Sequence, residues 1–558
     1  MRPWFWRNPG ATPSPPWVSD PAGGQIPSRW ARLWQTTETM QALHISGNDL
    51  TLEDVRQVVY ERRPILLQPQ ARLAVERSRA VVDDLFVNEG VAYAVNTGVG
   101  HLADLRIPPQ DVFKLQVNLL RSHAVGIGDP LAEDIVRAMV LLRANSLAKG
   151  FSGVRPLVID TLCEMLNRGV HPVIPSQGSV GASGDLAPLA HLALALIGEG
   201  LVMSNGESTS AAEALKRADI KPLVLGAKEA ISLINGTQAM LAVGLLTILQ
   251  AEILADTADV IGSLTLDALK GTDVAFDERI QKARPHSGQL LVAQNLRRML
   301  EGSLIRESHL DCQKVQDAYS LRCMPQVHGA VRDTLAHCLQ VFEVEMNSAV
   351  DNPLVFLEEK KVGAPKRTIG GASVPGVILS GGNFHGQPLA FALDFMAIAL
   401  SALAGISERR LERLVNPALN EGLPAFLAPG AGLNSGFMMP QVTAAALVSE
   451  NKVLSHPASV DSITTSGNKE DFVSMGMTSA NKLLRVVTNT RNVLAIEALA
   501  AAQALDFRAP LDTGKRAKAA QAAIRSVSPP ITEDRVLTGD FAKVAAIIAK
   551  GELAAALR

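Results

Sequence analysis

A glycine-rich loop at residues 175–188 has the residue types best suited to chemistry: Pro-Ser-Gln-Gly-Ser-Val-Gly-Ala-Ser-Gly-Asp-Leu-Ala-Pro. Its glycines recur at every third position, which lets the backbone turn sharply and approach other groups closely. Asp185 and Pro188 follow, and these residue types are typical of the first turn of a helix. The pattern predicts a tight turn that leads directly into a helix.

Three common interpretations of a glycine loop fit this one poorly. A phosphate-binding loop requires Gly-Lys-Ser/Thr, which the segment lacks. A dinucleotide-binding turn requires a βαβ unit, but the flanking sequence predicts helices. Gly181-Ala-Ser-Gly184 is one residue shorter than the G-x-S-x-G turn of serine hydrolases. A plain flexible loop remains open on these residues alone.

Ala182-Ser183-Gly184 allows a fourth interpretation. In a sharply bent backbone the amide nitrogen of Gly184 can attack the carbonyl carbon of Ala182, because small residues do not block the approach. Loss of one water closes a five-membered ring, and loss of a second water from Ser183 leaves a conjugated methylidene group. The product would be 4-methylidene-imidazol-5-one (MIO), an electrophile made from backbone atoms.

The segment from Gly178 to His191 closely resembles the signature of the aromatic amino acid ammonia-lyases, above all the histidases. Other segments agree with that family in order and spacing, and the similarity spans roughly residues 48–510. These segments are Tyr93-Ala-Val-Asn-Thr-Gly98, Leu233-Ile-Asn-Gly-Thr-Gln238, Gln316-Asp-Ala-Tyr-Ser-Leu-Arg-Cys323, Ser380-Gly-Gly-Asn-Phe-His385, His456-Pro-Ala-Ser-Val-Asp461 and GNKEDFVSMG at 467–476.

The resemblance implies a mainly α-helical homotetramer whose active sites combine residues of several subunits. It also implies that MIO forms from Ala182, Ser183 and Gly184. The family reaction is an elimination in which the substrate loses its α-amino group and a β-hydrogen. The amine is a poor leaving group and the β-hydrogen is weakly acidic, so the reaction needs both an electrophile and a positioned base.

Further roles follow from the same resemblance. Tyr93 corresponds to the base that takes the β-proton, although a lone tyrosine is more often a half-buried core residue. A free phenol has a pKa of about 10, so this role needs nearby positive charge or a helix N-terminus. Arg322 corresponds to the residue that binds the substrate carboxylate with two parallel hydrogen bonds. Three positions correspond to residues that contact the cofactor or substrate: Asn235, Gln316 and Phe384. Tyr319 corresponds to a tyrosine close to the cofactor.

Ser122-His123 occupies the pair that varies with substrate in this family and has the histidase form. Two polar groups suit an imidazole and penalise a phenyl ring, which would leave them unpaired. Glu470 matches a histidase carboxylate that can hold an imidazole N–H or the amine. Four positions depart from the histidase pattern: Gln110 in place of His, Lys469 and Phe472 within Lys-Glu-Asp-Phe, and Ala318 in place of Pro.

The resulting hypothesis is elimination of ammonia from L-histidine to give trans-urocanate. One alternative keeps the cofactor but takes another aromatic or polar amino acid, as a lyase or a 2,3-aminomutase. Another is a structural homologue that has lost catalysis. Retention of Ala-Ser-Gly, Tyr93 and Arg322 argues against the second alternative.

Composition restricts the remaining possibilities. The net charge of -2 does not favour nucleic acid as a partner. Eleven scattered histidines form no H-x-x-x-H pair, so no metal is expected. Four cysteines without a C-x-x-C pair fit a reducing compartment, and the N-terminus does not resemble a signal peptide. We therefore expect a cytoplasmic enzyme with a small amino acid substrate and no membrane contact.

Helix signals dominate the chain and predict a mainly α fold, with an elongated central bundle and a smaller N-terminal globular part that carries the active-site loops. Thr51-Leu-Glu-Asp54 predicts a capping box, and Asp129-Pro130 predicts a helix start. Charges interrupt the most apolar runs, which favours core helices over membrane spans. The expected parts are a loose arm (1–45), the N-terminal part (46–225), the bundle (226–510), and a connector with a final helix (511–558).

Overall fold

The computed structural model describes residues 40–87, 92–204, 207–357 and 376–558. These residues are mainly helical, which confirms the predicted fold class. The helices are α1 (Leu52–Tyr60), α2 (Pro69–Val87), α3 (Val112–His123), α4 (Glu133–Ala148), α5 (Pro156–Asn167), α6 (Leu186–Leu196), α7 (Ala211–Arg217), α8 (Glu229–Ile234), α9 (Gln238–Ala268), α10 (Glu278–Lys282), α11 (Ser287–Leu300), α12 (Leu304–Glu307), α13 (Tyr319–Arg322), α14 (Met324–Met346), α15 (Gln387–Val415), α16 (Met438–Leu454), α17 (Gly476–Asp506), α18 (Lys515–Val527) and α19 (Thr538–Ala549).

Short strands form four small sheets of two or three strands. β1 pairs with β2 in parallel, and the other pairings, β3 with β5, β4 with β6, β6 with β7 and β8 with β9, are antiparallel. The strands are β1 (Leu43–Ile45), β2 (Ile65–Leu67), β3 (Ile127–Pro130), β4 (His171–Pro172), β5 (Pro175–Gln177), β6 (Leu201–Ser204), β7 (Glu207–Ser210), β8 (Leu354–Leu357) and β9 (Gly376–Leu379).

Four long helices, α9, α14, α15 and α17, form the core of the bundle. Helix α9 is rich in Ala and Leu, and every residue from 238 to 248 is buried, so its N-terminal third is surrounded by protein. Helices α9 and α15 are long and apolar enough to cross a membrane by length and composition alone. Most of the apolar stretch of each is buried inside the protein.

A buried polar network joins the four core helices to one another. The Arg410 guanidinium donates to both carboxylate oxygens of Glu497 at 2.6 and 2.9 Å. His328 lies between Arg410, at 3.2 Å, and the Asp259 carboxylate, at 2.8 Å. Buried ion pairs add little net stability but penalise other arrangements. The network therefore fixes the register of α9, α14, α15 and α17.

Local signals predicted some element boundaries and missed others. The capping box is confirmed, since Thr51 Oγ1 accepts from the Asp54 N–H and the Asp54 carboxylate accepts from the Thr51 N–H. The predicted helix start at Asp129-Pro130 is wrong, because these residues belong to β3, which pairs with β5, and α4 begins at Glu133. The part expected to be a connector with a final helix, 511–558, contains a further helix, α18, before the last one. Residues 1–39 of the expected N-terminal arm lie outside the described residues.

Candidate active site

The Ala182-Ser183-Gly184 loop is held between two other backbone segments, in the connection from β5 to α6. On one side Gly184 pairs with Gly236, and the Asp185 N–H donates to the Gly236 carbonyl at 2.6 Å. On the other side Ala182 is buried in a small apolar cluster that includes Val473. The three residues therefore lie in a compressed, well-anchored turn, unlike a flexible loop.

Gly184 is the position where this compression is greatest. Its φ is +70°, and a Cβ there would lie 2.0 Å from the Gly236 carbonyl oxygen. Real Cβ atoms do not approach that closely, so only glycine fits both the backbone conformation and the space. Position 184 therefore accepts only glycine, the residue type that ring closure onto Ala182 also requires, and the residues present fit the MIO group.

Replacement of Gly184 by alanine tests this steric argument. We expect Gly184→Ala to retain both waters of the encoded sequence and to unfold at lower temperature, because the new methyl group displaces the 235–237 turn. Gly302→Ala is the matched control. Its φ is +72°, but no described atom lies within 4 Å of the new Cβ. Intact mass and thermal unfolding of both variants measure the effect; complete water loss in Gly184→Ala would contradict it.

Ser183 is contacted by two side chains from distant parts of the chain. Its hydroxyl donates to Glu470 Oε1 at 3.0 Å, and Asn235 Nδ2 donates to its carbonyl oxygen at 2.9 Å. The Thr465 hydroxyl donates to the other Glu470 oxygen at 2.7 Å. Asn235 Oδ1 is buried without a hydrogen-bond partner among the described residues. The structure thus brings Ser183, Glu470 and Asn235 together directly.

Asp185 is fully buried, and its role differs from the predicted cap of α6. Its carboxylate accepts from the N–H groups of Ala239 and Met240, at 2.8 and 3.0 Å, which are in the first turn of α9. Among the described residues, its side chain makes no cap bond to α6. Burial raises the pKa of Asp185 to about 7, although the N–H donors and the Ser179 hydroxyl oppose the shift. Asp185 therefore ties the loop to α9.

Ser122 and His123 lie together at the C-terminal end of α3. The Ser122 hydroxyl donates to the Leu119 carbonyl at 3.1 Å, and His123 Nδ1 lies 2.8 Å from the same oxygen. A proton on Nδ1 satisfies that contact and leaves Nε2 as an acceptor. Burial lowers the pKa of His123, while the charge of nearby Glu470 opposes the shift. His123 is consequently a neutral imidazole at neutral pH, near the carboxylate that contacts Ser183.

Tyr93 lies in a loop that packs against the segment preceding Glu470. Its half-buried hydroxyl accepts from the Gly100 N–H at 3.1 Å. A Cβ on Gly100 would lie 2.7 Å from Ser466 Oγ, so this loop packs tightly against the turn that precedes Glu470. Tyr93, Glu470 and Ser183 therefore belong to neighbouring segments of one chain.

Tyr319 and Arg322 form a pair elsewhere in the protein. The Arg322 guanidinium carbon lies 4.6 Å from the centre of the Tyr319 ring, and Tyr319 is 72% exposed. Arg322 Nε has no hydrogen-bond partner in the part of the chain that the structure describes. The pair presents a cation and a phenol at the protein surface.

The length of helix α9 gives the distance between this pair and the Ala182-Ser183-Gly184 loop. Asp185 contacts Met240 at the start of α9, whereas Met324, two residues after Arg322, packs against Gly262. The 22 residues between Met240 and Gly262 span about 33 Å at the helical rise per residue. Arg322 therefore lies roughly 30 Å from Ser183 of its own chain.

The last two predicted site residues lie in different places. Gln316 is exposed, three residues before Tyr319. Phe384 is half-buried, two residues before Gly386, whose N–H donates to the Gly181 carbonyl at 3.4 Å. Phe384 is thus close to the cofactor-forming loop in space although it is about 200 residues away in sequence, and Gln316 belongs with the distant Tyr319 pair.

Three of the four departures from the histidase pattern, Gln110, Lys469 and Phe472, are exposed. Gln110 is exposed beside the N-terminus of α3. Phe472 is 62% exposed, and its ring stacks on His385 with the centroids 6.1 Å apart. Phe472 follows Glu470 by two residues, so its exposed ring adds an aromatic surface near the carboxylate.

Sequence reasoning missed Arg143 and Gly236. Gly236 is part of the family segment at 233–238, but the segment does not indicate that the Gly236 backbone pairs with Gly184. Arg143 lies in the middle of α4 and is fully buried. Full burial is rare for arginine, and no local sequence pattern predicts it. Among the described residues, no group of three or more His, Cys, Asp or Glu side chains could hold a metal ion.

The helical bundle and the compressed Ala-Ser-Gly loop together define a class of enzyme, and the comparison with known families agrees. Residues 50–526 match the aromatic amino acid lyase family, and the chain belongs to that family. The recognised resemblance is therefore confirmed.

Similar proteins within this family include histidine ammonia-lyases and an aminomutase. The chain is 74% identical to a histidine ammonia-lyase of Koribacter versatilis (strain Ellin345), covering 93% of this chain and 100% of the relative. It resembles the crystal structure of histidine ammonia-lyase from Trypanosoma cruzi with TM-score 0.83 and 41% identity, over 93% of this chain and 95% of that one. It also resembles tyrosine aminomutase from Streptomyces globisporus with TM-score 0.84 and 39% identity, over 92% and 98%. The chain is an enzyme similar to histidine ammonia-lyases.

Proposed function

We propose that this enzyme eliminates ammonia from L-histidine to give trans-urocanate, with MIO formed from Ala182, Ser183 and Gly184. The observation that carries the proposal is the compressed loop, in which Ser183 contacts both Glu470 and Asn235. MIO supplies an electrophile that bonds covalently to the amine and makes it a better leaving group.

The chain's own residues supply the rest of the site. Tyr93 removes the β-proton, and Arg322 binds the carboxylate through two charge-assisted hydrogen bonds. Asn235 holds the Ser183 carbonyl oxygen, which fixes the orientation of the loop. Phe384, beside the loop, limits the access of water and packs against the substrate.

Recognition of the imidazole depends on Ser122, His123 and Glu470. His123 keeps Nε2 available as an acceptor, because Nδ1 faces the Leu119 carbonyl. Glu470 provides a carboxylate acceptor for a ring N–H or for the amine. A phenyl ring would leave both acceptors unpaired, which disfavours phenylalanine as a substrate.

A homotetramer completes this site. Arg322, Tyr319 and Gln316 lie roughly 30 Å from Ser183 of the same chain, so they serve the loop of another copy. Helix α15 also exposes an apolar stripe at Phe391, Phe395 and Ile398. Monomeric proteins rarely expose such faces, and a second copy of the chain would cover this one.

The location and partners follow from the same chemistry. We propose a cytoplasmic enzyme whose partners are its substrate and its own copies, without nucleic acid or membrane. Its four free cysteines suit a reducing compartment.

Intact mass tests cofactor formation. Native protein is expected to weigh less than its encoded sequence by two water molecules, and Ser183→Ala is expected to prevent the loss of the second. Native protein at the full encoded mass would overturn the proposal and would leave a structural homologue without catalysis.

Substrate assays then test the assignment to histidine. We expect L-histidine to produce the ultraviolet absorbance of urocanate, and tyrosine and phenylalanine to give no acrylate. The aminomutase alternative is favoured by the exposed Phe472 ring and by the aminomutase neighbour. It predicts a β-amino acid from an aromatic substrate, and this product with no urocanate would replace the histidine assignment.

A further inference from the structure

Arg143 is a fully buried cation close to the turn that holds the cofactor-forming loop. Its Nη1 donates to the Asn235 carbonyl at 2.8 Å and to Gln238 Oε1 at 3.1 Å. Its Nε and Nη2 are buried without hydrogen-bond partners in the described residues. Burial of an incompletely paired guanidinium is destabilising, so general stability does not account for it.

The two acceptors of Arg143 lie on either side of Gly236. The Gly236 carbonyl accepts from the Asp185 N–H at 2.6 Å, and the Asn235 side chain donates to the Ser183 carbonyl at 2.9 Å. One guanidinium group therefore fixes a turn that contacts the loop on both sides of Gly184.

Direct packing supports the same conclusion. A Cβ on Gly236 would lie 2.5 Å from Arg143 Nη1 and 2.5 Å from Gln238 Oε1. The guanidinium thus packs against the Gly236 backbone without an intervening side chain. Movement of Arg143 is transmitted to Gly236 and, through its carbonyl, to the peptide between Gly184 and Asp185.

The charge state of Arg143 is clear at neutral pH. Burial lowers its pKa to about 10, and the buried Asp351 carboxylate opposes the shift. The Asp351 carboxylate also lies 3.6 Å from Lys228 Nζ, so its negative charge interacts with both cations. Arg143 therefore remains a cation at neutral pH.

We propose that Arg143 is a positioning residue for MIO formation, an inference that rests on the proposed function. By fixing the Asn235–Gly236 turn, it keeps the Gly184 nitrogen directed at the Ala182 carbonyl carbon. The new bond joins these two atoms, and the Ala182 oxygen leaves as water with the amide protons of Gly184 and Ser183. The second water takes the Ser183 hydroxyl and its Cα hydrogen.

Arg143→Met, with Arg137→Met as its control, tests the proposal. Arg137 lies on the same helix and is also buried, but its guanidinium donates to the carbonyls of Val58, Val59 and Leu166, away from the loop. Both variants lose a buried cation from α4. We expect ring closure in Arg143→Met to be about 10- to 100-fold slower, since small misplacements lower the rate of such reactions steeply. Arg137→Met should close its ring as wild type does.

The measurement is the intact mass of folded protein at intervals after a pulse of synthesis, with helicity and oligomeric state checked in parallel. Arg143→Lys keeps the charge but not the planar fork, and we expect an intermediate rate. Complete water loss at the wild-type rate in folded Arg143→Met would overturn the proposal. If that variant does not fold, wild-type ring closure in Arg143→Lys would overturn it. Wild-type protein that loses no water would instead overturn the proposed function.

Discussion

Replacement of Tyr93 by phenylalanine is expected to lower kcat for histidine elimination by about 10²- to 10⁴-fold, the range supplied by a positioned acid–base group. The substitution removes only the hydroxyl, and the ring still fills its half-buried position. Tyr93 belongs to the loop that packs against the turn preceding Glu470. The atoms of the ring come from Ala182, Ser183 and Gly184, and the Tyr93 hydroxyl contributes none of them, so the variant should still lose two waters.

Tyr60→Phe is the matched control for this experiment. The Tyr60 hydroxyl donates to the Asp134 carboxylate at 3.5 Å, so it binds the start of α4 and not the cofactor-forming loop. Both variants lose one hydroxyl, but only Tyr93→Phe should lose turnover. Intact mass and steady-state kinetics on both proteins separate loss of the base from loss of the cofactor. Near-normal kcat in a fully dehydrated Tyr93→Phe enzyme would remove Tyr93 from the role of base.

Local sequence patterns predicted the elements of this protein better than their contacts. Helix signals along the chain predicted the mainly α fold, and the long Ala- and Leu-rich helices α9, α15 and α17 agree with that prediction. Ala/Leu-rich periodicity is a local property, and these helices need no long-range information to be recognised. The Thr51 capping box depends on four consecutive residues and was equally visible.

Asp129 and Asp185 show where local patterns fail. Asp129-Pro130 has the residue types of a helix start, but pairing of β3 with β5 overrides that preference. Asp185 precedes α6, yet its carboxylate binds N–H groups at the start of α9, 54 and 55 residues away in sequence. A cap inferred from neighbours along the chain cannot anticipate a donor supplied by another helix.

In the candidate site, too, the sequence revealed adjacent residues but not contacts between distant ones. Ala182-Ser183-Gly184 was evident because its chemistry is encoded in three adjacent residues. Arg143 was not, since its significance depends on two acceptors that flank Gly236, 92 and 95 residues further along the chain. The separation of Arg322 from Ser183 was also invisible, because motif order does not indicate which end of a bundle each motif occupies.

Replacement of Arg322 by methionine is expected to lower kcat/KM by about 10²- to 10⁴-fold, because two charge-assisted hydrogen bonds to the substrate carboxylate are lost. Since Arg322 lies roughly 30 Å from Ser183 in its own chain, the proposed homotetramer requires that Arg322 act on the site of another copy. This arrangement predicts complementation between variants that are inactive alone.

Co-expression of Tyr93→Phe and Arg322→Met chains with different affinity tags tests that prediction. In hybrids of random composition, about a quarter of the sites combine an intact Tyr93 with an intact Arg322, and activity should recover accordingly. Co-expression of Tyr93→Phe with Ser183→Ala is the control, because Tyr93 and Ser183 lie in neighbouring segments of one chain and their hybrids should stay inactive. No recovery in purified Tyr93→Phe/Arg322→Met hybrids would show that Arg322 does not complete a neighbouring site. The position of Arg322 at the far end of α9 would then have no catalytic consequence.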